Sequence, residues 1–543
     1  MRPRSDASDR SSLFSASVWR FCLPALILAV PIIVYWPALQ AGFISDDFFW
    51  FSYYIKSPAE LLEKIMLQHR GEIELEYFRP SLLASLRLDY ALWGEDAVGF
   101  HLTSILLHSL NSVLLFYLAR ILGIDALSSA TASLLFALYP ASTDAVTWIA
   151  SRSDPLALAW LLIALLFWCA ARLRADGRWA VPSVIAYIIA VFAKEWAVAG
   201  ILLLPIVDWV LRPRSPRMKS GIAPWHPIGY LAFLAVAVGV IAVRYWLFGD
   251  IGGHRGEANV SGYFTIGLTS LWSTVVLHDL KIFFTPVNRI LWPEWAAGWR
   301  IALVATGVCS GLMLLSGLGL AIRTARRDRA RFICFAAAIL WIIVMFLPIA
   351  TLRPVTDSLV RSRYLYAASA GLALWAGMSL GLLWRSGVLL PTIGVIVLAG
   401  MIAMSVFTIR RHNELWIESG RIARQIHATM AAHSSDLTDG SSVFMVNFPW
   451  AYRDTPCAPA MYGNYIDFRY GTKGVGVYAV YKRPDELDEW WEELRSRWRI
   501  RSDGFFWDES TDSVRVLPPI MPETNEREAV EDENIVPTSP SAE

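Results

Sequence analysis

Charge is scarce in this 543-residue chain, where Asp, Glu, Lys and Arg make up 17% against about 25% in an average soluble domain. Neither sign dominates. The 48 basic and 47 acidic residues nearly cancel, which excludes a nucleic-acid binder driven by bulk basicity. Cysteine is equally sparse: Cys22, Cys169, Cys309, Cys334 and Cys457 are far apart and mostly inside apolar runs. That leaves neither a disulfide framework nor a cysteine-based zinc site. A glycine fingerprint for a nucleotide sugar is also missing. What is abundant is hydrocarbon, with 55% apolar residues and a mean hydropathy of +0.43. A soluble cytoplasmic enzyme is excluded, and a polytopic membrane protein remains.

Runs of roughly 17–25 apolar residues, enough for a bilayer core, predict spans near 21–40, 101–119, 126–143, 155–171, 226–247, 301–322, 332–350, 364–384 and 387–408. A further run over 179–211 is interrupted by Lys194-Glu195. Two short helices, 179–193 and 196–211, place that pair at an interface, where its cost is far lower than at mid-bilayer. The reading is eleven spans. Arginine placement agrees with it, because clusters at Arg2–Arg20, Arg172–Arg178, Arg212–Lys219 and Arg323–Arg331 then share one face, which the positive-inside rule makes cytoplasmic. Residues 264–285 contain His278, Asp279 and Lys281 and are expected to lie at the external interface. The first apolar helix starts too far in for a signal peptide and reads as an anchor.

The expected organisation is a cytoplasmic segment 1–20, a transmembrane domain 21–408 with external loops 41–100 and 248–300, an external domain 409–520 and a disordered acidic tail 521–543. In the external domain "SSVFMVNF" and "GVGVYAVY" read as strands and "DELDEWWEELRSRW" as a helix, which suits a small α/β or α+β fold.

Polar residues where lipid is expected carry the functional argument. Asp46 and Asp47, in "FISDDFFW", follow the first span inside an aromatic belt. They read either as a helix cap and interface anchor or as a general base for an acceptor hydroxyl. His101, His108 and Asn111 make a polar stripe on one helix, either a satisfied interior network or contacts to a polar ligand. Tyr139, Ser142, Thr143, Asp144, Arg152 and Asp154 cluster in "LYPASTDAVTWIASRSDPLALAW", where Arg152 with either neighbouring acid is a candidate structural ion pair. Lys194-Glu195 and the "RPVTDSLVRSRYLY" run, with Arg361 and Arg363, add a second and a third ionisable group. Outer loops are usually poor in arginine, and guanidinium forks suit phosphate, so the three groups together suggest a lipid-linked phosphate site.

The stretches "FISDDFFW", "YFRPSLLASLRLDYALWGEDAVGFHLTSILLHSLNSVLLFYLARILG", "YPASTDAVTWIASRSDPLALAWLL", "AVFAKEWAVAGILLLPIVDW" and "RSRYLYAASAGLAL" resemble the transmembrane and tetratricopeptide-repeat O-mannosyltransferase-like proteins. These belong to the GT-C glycosyltransferase superfamily, and the resemblance covers roughly 30–410. It implies a GT-C-like fold and an enzyme that takes a sugar from a polyprenyl-phosphate donor to a protein or envelope-glycan acceptor at the outer face. The catalytic carboxylate falls on Asp47 or Asp46, with the register favouring Asp47. The donor phosphate falls on Arg79, Arg361, Arg363 and Lys194. His101, His108, Asp144, Arg152, Asp154, Glu195 and Tyr139 line the substrate site.

Two departures stand out. Relatives commonly read His-Pro-x-His-Thr-Glu-Ala-Val where this chain has Tyr139 to Val146, so two imidazoles become a phenol and a hydroxyl. The repeat domain is replaced by 409–520. The sequence points to no particular cofactor, and a divalent metal is compatible with the chemistry. Partners are the lipid donor, membrane lipids and the acceptor, with no nucleic acid, in a bacterial cytoplasmic membrane. The alternative is a non-catalytic scaffold or partner-binding protein derived from such an enzyme.

Overall fold

Helices account for most of the residues that the computed structural model describes, which are 21–50, 78–212, 225–249, 279–291, 296–326, 328–348, 355–384, 389–433, 440–449, 451–457, 476–498 and 500–521. The expectations for 1–20, 51–77, 264–278 and the tail from 522 lie outside them. Among the described residues eight helices are long and apolar enough to cross a bilayer, and the chain is a polytopic α-helical membrane protein.

The principal helices are α1 (Leu23–Tyr35), α2 (Pro80–Trp93), α3 (Ala97–Ile121), α4 (Ala126–Ala137), α5 (Ser153–Arg174), α6 (Ala180–Ala193), α7 (Leu203–Leu211), α8 (Trp225–Phe248), α9 (Ala296–Thr324), α10 (Arg329–Phe346), α11 (Tyr366–Leu383) and α12 (Leu389–His433). The eleven expected spans included 126–143, 179–193 and 196–211, and these three are shorter or broken. Tyr139-Pro140 ends α4 early, because proline disfavours α geometry in the residue before it. Lys194 is extended (φ −157°, ψ 141°) and stops α6, and a 3-10 turn over Glu195–Leu202 precedes α7.

Local signals set several boundaries. Asp96 Oδ1 accepts the Val98 N–H at the start of α3, Asp125 Oδ1 accepts the Ser128 N–H of α4, and Asp328 Oδ1 accepts the Arg331 N–H of α10.

The chain divides into two units, 1–36 with 62–85 and 100–412, and 37–61 with 86–99 and 413–543. In the first, side-chain bonds register the helix ends. Lys194 meets Asp154 at the start of α5, while Asp208 near the end of α7 meets Arg172 near the end of α5 at 2.8 Å. Tyr230, early in α8, donates to Asp208, and Arg244, late in α8, reaches Glu195. Successive segments therefore run back and forth along α5, and the chain reverses at Lys194-Glu195.

The second unit contains a four-stranded sheet. Strands β1 (Ser442–Val446), β4 (Gly476–Val480), β5 (Ser502–Asp508) and β6 (Ser513–Ile520) lie in the order β4-β1-β5-β6, beside a separate two-residue pair, β2 (Ala451–Tyr452) with β3 (Thr455–Pro456). Strand β1 is parallel to β4 and β5, and β6 is antiparallel to β5. Side chains alternate between faces. Phe444, Val446 and Phe506 pack on Trp491 and Leu494 of α13 (Leu487–Arg497), and Val443, Met445 and Phe505 pack on Ile422, Ile426 and Met430 of α12. Covering both faces is what a parallel sheet requires. This is the small α/β domain expected from the sequence. No helix break separates 408 from 409, since α12 runs through.

Candidate functional site

The registered helix ends of the first unit gather charge. Glu195 opens the 3-10 turn after α6, and Arg79 grips it with Nε at 3.0 Å and Nη2 at 2.9 Å, while Arg244 Nη1 binds it at 2.8 Å. Burial raises the Glu195 carboxyl, but the two guanidiniums override burial and hold it at about 2. Asp154 accepts from Lys194 Nζ at 2.5 Å and from Trp196 Nε1 at 2.9 Å. Burial, with the Arg79 and Arg363 charges behind it, pulls the Lys194 ammonium below its ordinary range against the attraction of Asp154.

The third group is built on two packed 3-10 turns, Pro140–Ser142 and Ser362–Leu365. Arg363 Nη1 lies 3.3 Å from Asp144 Oδ2, with its guanidinium 4.7 Å above the Trp148 ring. Burial pushes the Asp144 carboxyl up, and Arg363 only partly offsets it. Arg361 behaves differently. It is half-buried in the left-handed region (φ +69°), and its side chain makes no ion pair or hydrogen bond among the described residues. The neighbouring Ser362 and Ser142 are fully buried, yet neither hydroxyl has a partner among the described residues.

Arg152 is fully buried and donates to Ser104 Oγ at 3.1 Å and to the Phe100 carbonyl. The sequence paired it with Asp144 or Asp154, but Arg363 and Lys194 hold those acids instead. Both ring nitrogens of His108 are engaged by protein groups. Nε2 donates to the Ala137 carbonyl at 3.0 Å, and Nδ1, left as acceptor, takes the Tyr366 hydroxyl at 2.8 Å. Asn111 Nδ2 binds the same hydroxyl and the Pro155 carbonyl. His101 is buried on the same helix. The Tyr139 hydroxyl donates to the Phe283 carbonyl at 3.0 Å.

A cavity of about 370 Å³ opens beside the Pro140–Ser142 turn, lined mostly by apolar groups that include Tyr139, Pro140, Phe283, Leu314, Ala373 and Met401. Among the described residues no group of three or more His, Cys, Asp or Glu could hold a metal ion.

Asp46 and Asp47 belong to the second unit. Asp47 opens a four-residue helix, is 1% exposed and accepts the Ile44 N–H through Oδ2 at 3.0 Å, while its own N–H donates to the Ile44 carbonyl. The carboxylate reaching back three residues is the acid half of a capping box, while the other N–H closes on a backbone carbonyl. Asp46 is half-buried. The sequence reading missed Arg244, Trp196 and Ser362. A lone arginine in "VIAVRYWLF" was the available signal, since an ionisable residue inside a span is a functional candidate by default.

No family model matches the chain. Among curated proteins, protein O-mannosyl-transferase Tmtc1 of Drosophila melanogaster is 31% identical over 136 residues, 25% of this chain and 16% of its own length. Human protein O-mannosyl-transferase TMTC3 is 30% identical over 151 residues, 26% of this chain and 16% of its own. The tmtc2 protein of Xenopus laevis is 27% identical over 46% of this chain and 28% of its own. The chain thus spans less than a third of the length of these relatives. Among solved structures, ArnT of Cupriavidus metallidurans bound to undecaprenyl phosphate aligns over 90% of this chain and 93% of its own, at 14% identity and a TM-score of 0.46. The oligosaccharyltransferase AglB of Archaeoglobus fulgidus, in complex with an inhibitory peptide and a dolichol-phosphate, aligns over 94% and 76% at 11% identity and 0.44. In sequence, the chain resembles the protein O-mannosyl-transferases over a quarter to about a half of its length.

Proposed function

We propose that the protein transfers a sugar from a polyprenyl-phosphate donor to a protein or envelope-glycan hydroxyl at the outer face of the membrane, with inversion. The observation that carries this reading is a half-buried arginine, Arg361, with no ion pair among the described residues, beside a turn that packs on the one lining an apolar cavity. Arg361 offers a cation, and Tyr139-Pro140 begins an apolar lining suited to an isoprenoid tail. The name shared by the sequence relatives supports the same class of reaction.

In the proposed step, the acceptor oxygen attacks the anomeric carbon while a carboxylate takes its proton. The bond from that carbon to the phosphate oxygen breaks, and polyprenyl phosphate leaves with the electron pair, its charge met by Arg361 and Arg363. We place the base on Asp46, the more exposed of the two loop acids, which accepts a long bond from Ser45 Oγ at 3.4 Å, whereas Asp47 is 1% exposed and braces the turn through Ile44. Asp144 and Glu195 are the next candidates.

The topology proposed is eleven traverses, three of them short or broken, with a cytoplasmic N-terminus and an external 409–520 domain. It is supported by Arg172 and Arg174, which lie at the end of α5 opposite Asp154 and Lys194. The test is incubation of purified protein with labelled polyprenyl-phosphate hexoses and envelope extract. Absence of both donor binding and transfer would sink the proposal.

A further inference from the structure

We propose that residues 420–427 of α12 form a positioning strut for the Asp46–Asp47 loop, so that the C-terminal domain sets where the proposed base stands. The inference rests on the reading of that loop as the source of the base. Arg424 Nη1 donates to the Gln40 carbonyl at 3.1 Å and to the Ala41 carbonyl at 3.2 Å. These carbonyls end the 3-10 turn Trp36–Gln40 that continues α1, and helix-end carbonyls lack partners of their own. The approach is close enough to demand glycine twice. A Cβ at Gly420 would stand 1.4 Å from the Ala41 oxygen, and one at Gly42, whose φ is +78°, would stand 2.4 Å from Arg424 Nη1.

The far side of the loop is held by the same helix. Phe48, next to Asp47, is 7% exposed and packs with Ile422, Ile426 and Met430, with its ring edge-on to His427 at 4.6 Å. Residues 420, 424 and 427 share one helical face. The Asp pair is therefore bracketed, with residues 40–42 fixed before it and Phe48 after it. Between them Ser45 sits at φ +43°, a backbone state that persists only when its surroundings enforce it. The core that receives Phe48 also contains Val443, Met445 and Phe505 of the sheet, so loop and domain share one packed interior.

The test uses the full chain in lipid nanodiscs, with Arg424→Ala, Arg424→Lys and Gly420→Ala. Without substrate, amide hydrogen exchange over 40–50 is expected to rise about tenfold or more in Arg424→Ala while α5 and α11 stay protected. With a labelled polyprenyl-phosphate hexose, turnover is expected to fall about 10–10²-fold at unchanged donor Kd, the signature of a misplaced group rather than lost binding. Lysine at 424 still reaches one carbonyl and recovers part of the loss. If Gly420→Ala fails to fold, the two Arg424 variants carry the test. Unchanged exchange in Arg424→Ala overturns the strut, whatever the activity. Raised exchange with normal turnover overturns the positioning role and the base assignment together. A wild-type protein that transfers no sugar defeats the proposed function and leaves the strut to the exchange result.

Discussion

Arg79 holds Glu195 with two nitrogens across 116 residues of sequence, and Arg244 closes the same carboxylate from a third segment. Removing the acid in Glu195→Gln leaves two guanidiniums facing a neutral amide. Glu195 is 26% exposed, so breaking one side of this part-buried pair costs about 1–2 kcal/mol, less than a fully buried pair would, to be measured by thermal unfolding in detergent. The pH dependence has a definite sign. The folded carboxyl sits at about 2 against an ordinary 4.5, so its stabilisation is complete above 4.5 and is lost as pH falls from there toward 2. A wild-type unfolding profile that matches Glu195→Gln through that window would contradict the ion-pair account.

Arg361→Ala is expected to weaken donor binding about 10–10²-fold, the worth of a charge-assisted contact, with almost no loss of stability. Arg363→Ala differs, because it strands Asp144 in the interior and should lower the unfolding temperature as well. Donor titration beside a melting curve separates the two. Equal destabilisation in both variants would mean that Arg361 has structural partners.

For the loop acids, Asp46→Asn is expected to cut turnover about 10²–10⁴-fold at constant donor Kd, the usual contribution of a positioned base. Asp47→Asn retains an oxygen that accepts the Ile44 N–H, so its loss should be milder. Reversal of that order restores Asp47 as the base, the assignment the family register favours.

His108→Phe leaves the Tyr366 hydroxyl and the Ala137 carbonyl without their partner. We expect a stability loss of about 2–4 kcal/mol in denaturant and a donor Kd within about threefold of wild type, since neither ring nitrogen is spare. A large Kd shift in a protein of normal stability would put the ring on the substrate.

The long apolar helices and the sheet of the C-terminal domain can be read from sequence, because their signals are local. "SSVFMVNF" alternates and becomes β1, and "DELDEWWEELRSRW" becomes α13. The ionisable cluster is legible as a set of residues, whereas its pairings are not. Arg152 turns to Ser104 and Phe100 rather than to an acid eight or two residues away, because partners depend on which helix ends meet. The same limit hid Arg244, whose acid lies 49 residues upstream.

One consequence follows from the shortness of α4. Twelve residues rise about 18 Å, whereas a bilayer's hydrocarbon is about 30 Å thick. In the topology proposed above α4 carries one traverse, so either the lipid thins beside this helix or the Tyr139–Asp144 turn lies below the headgroup plane. Acyl-chain length then becomes a variable of the reaction, as the depth from which an acceptor must be met changes with every methylene added to the surrounding lipid.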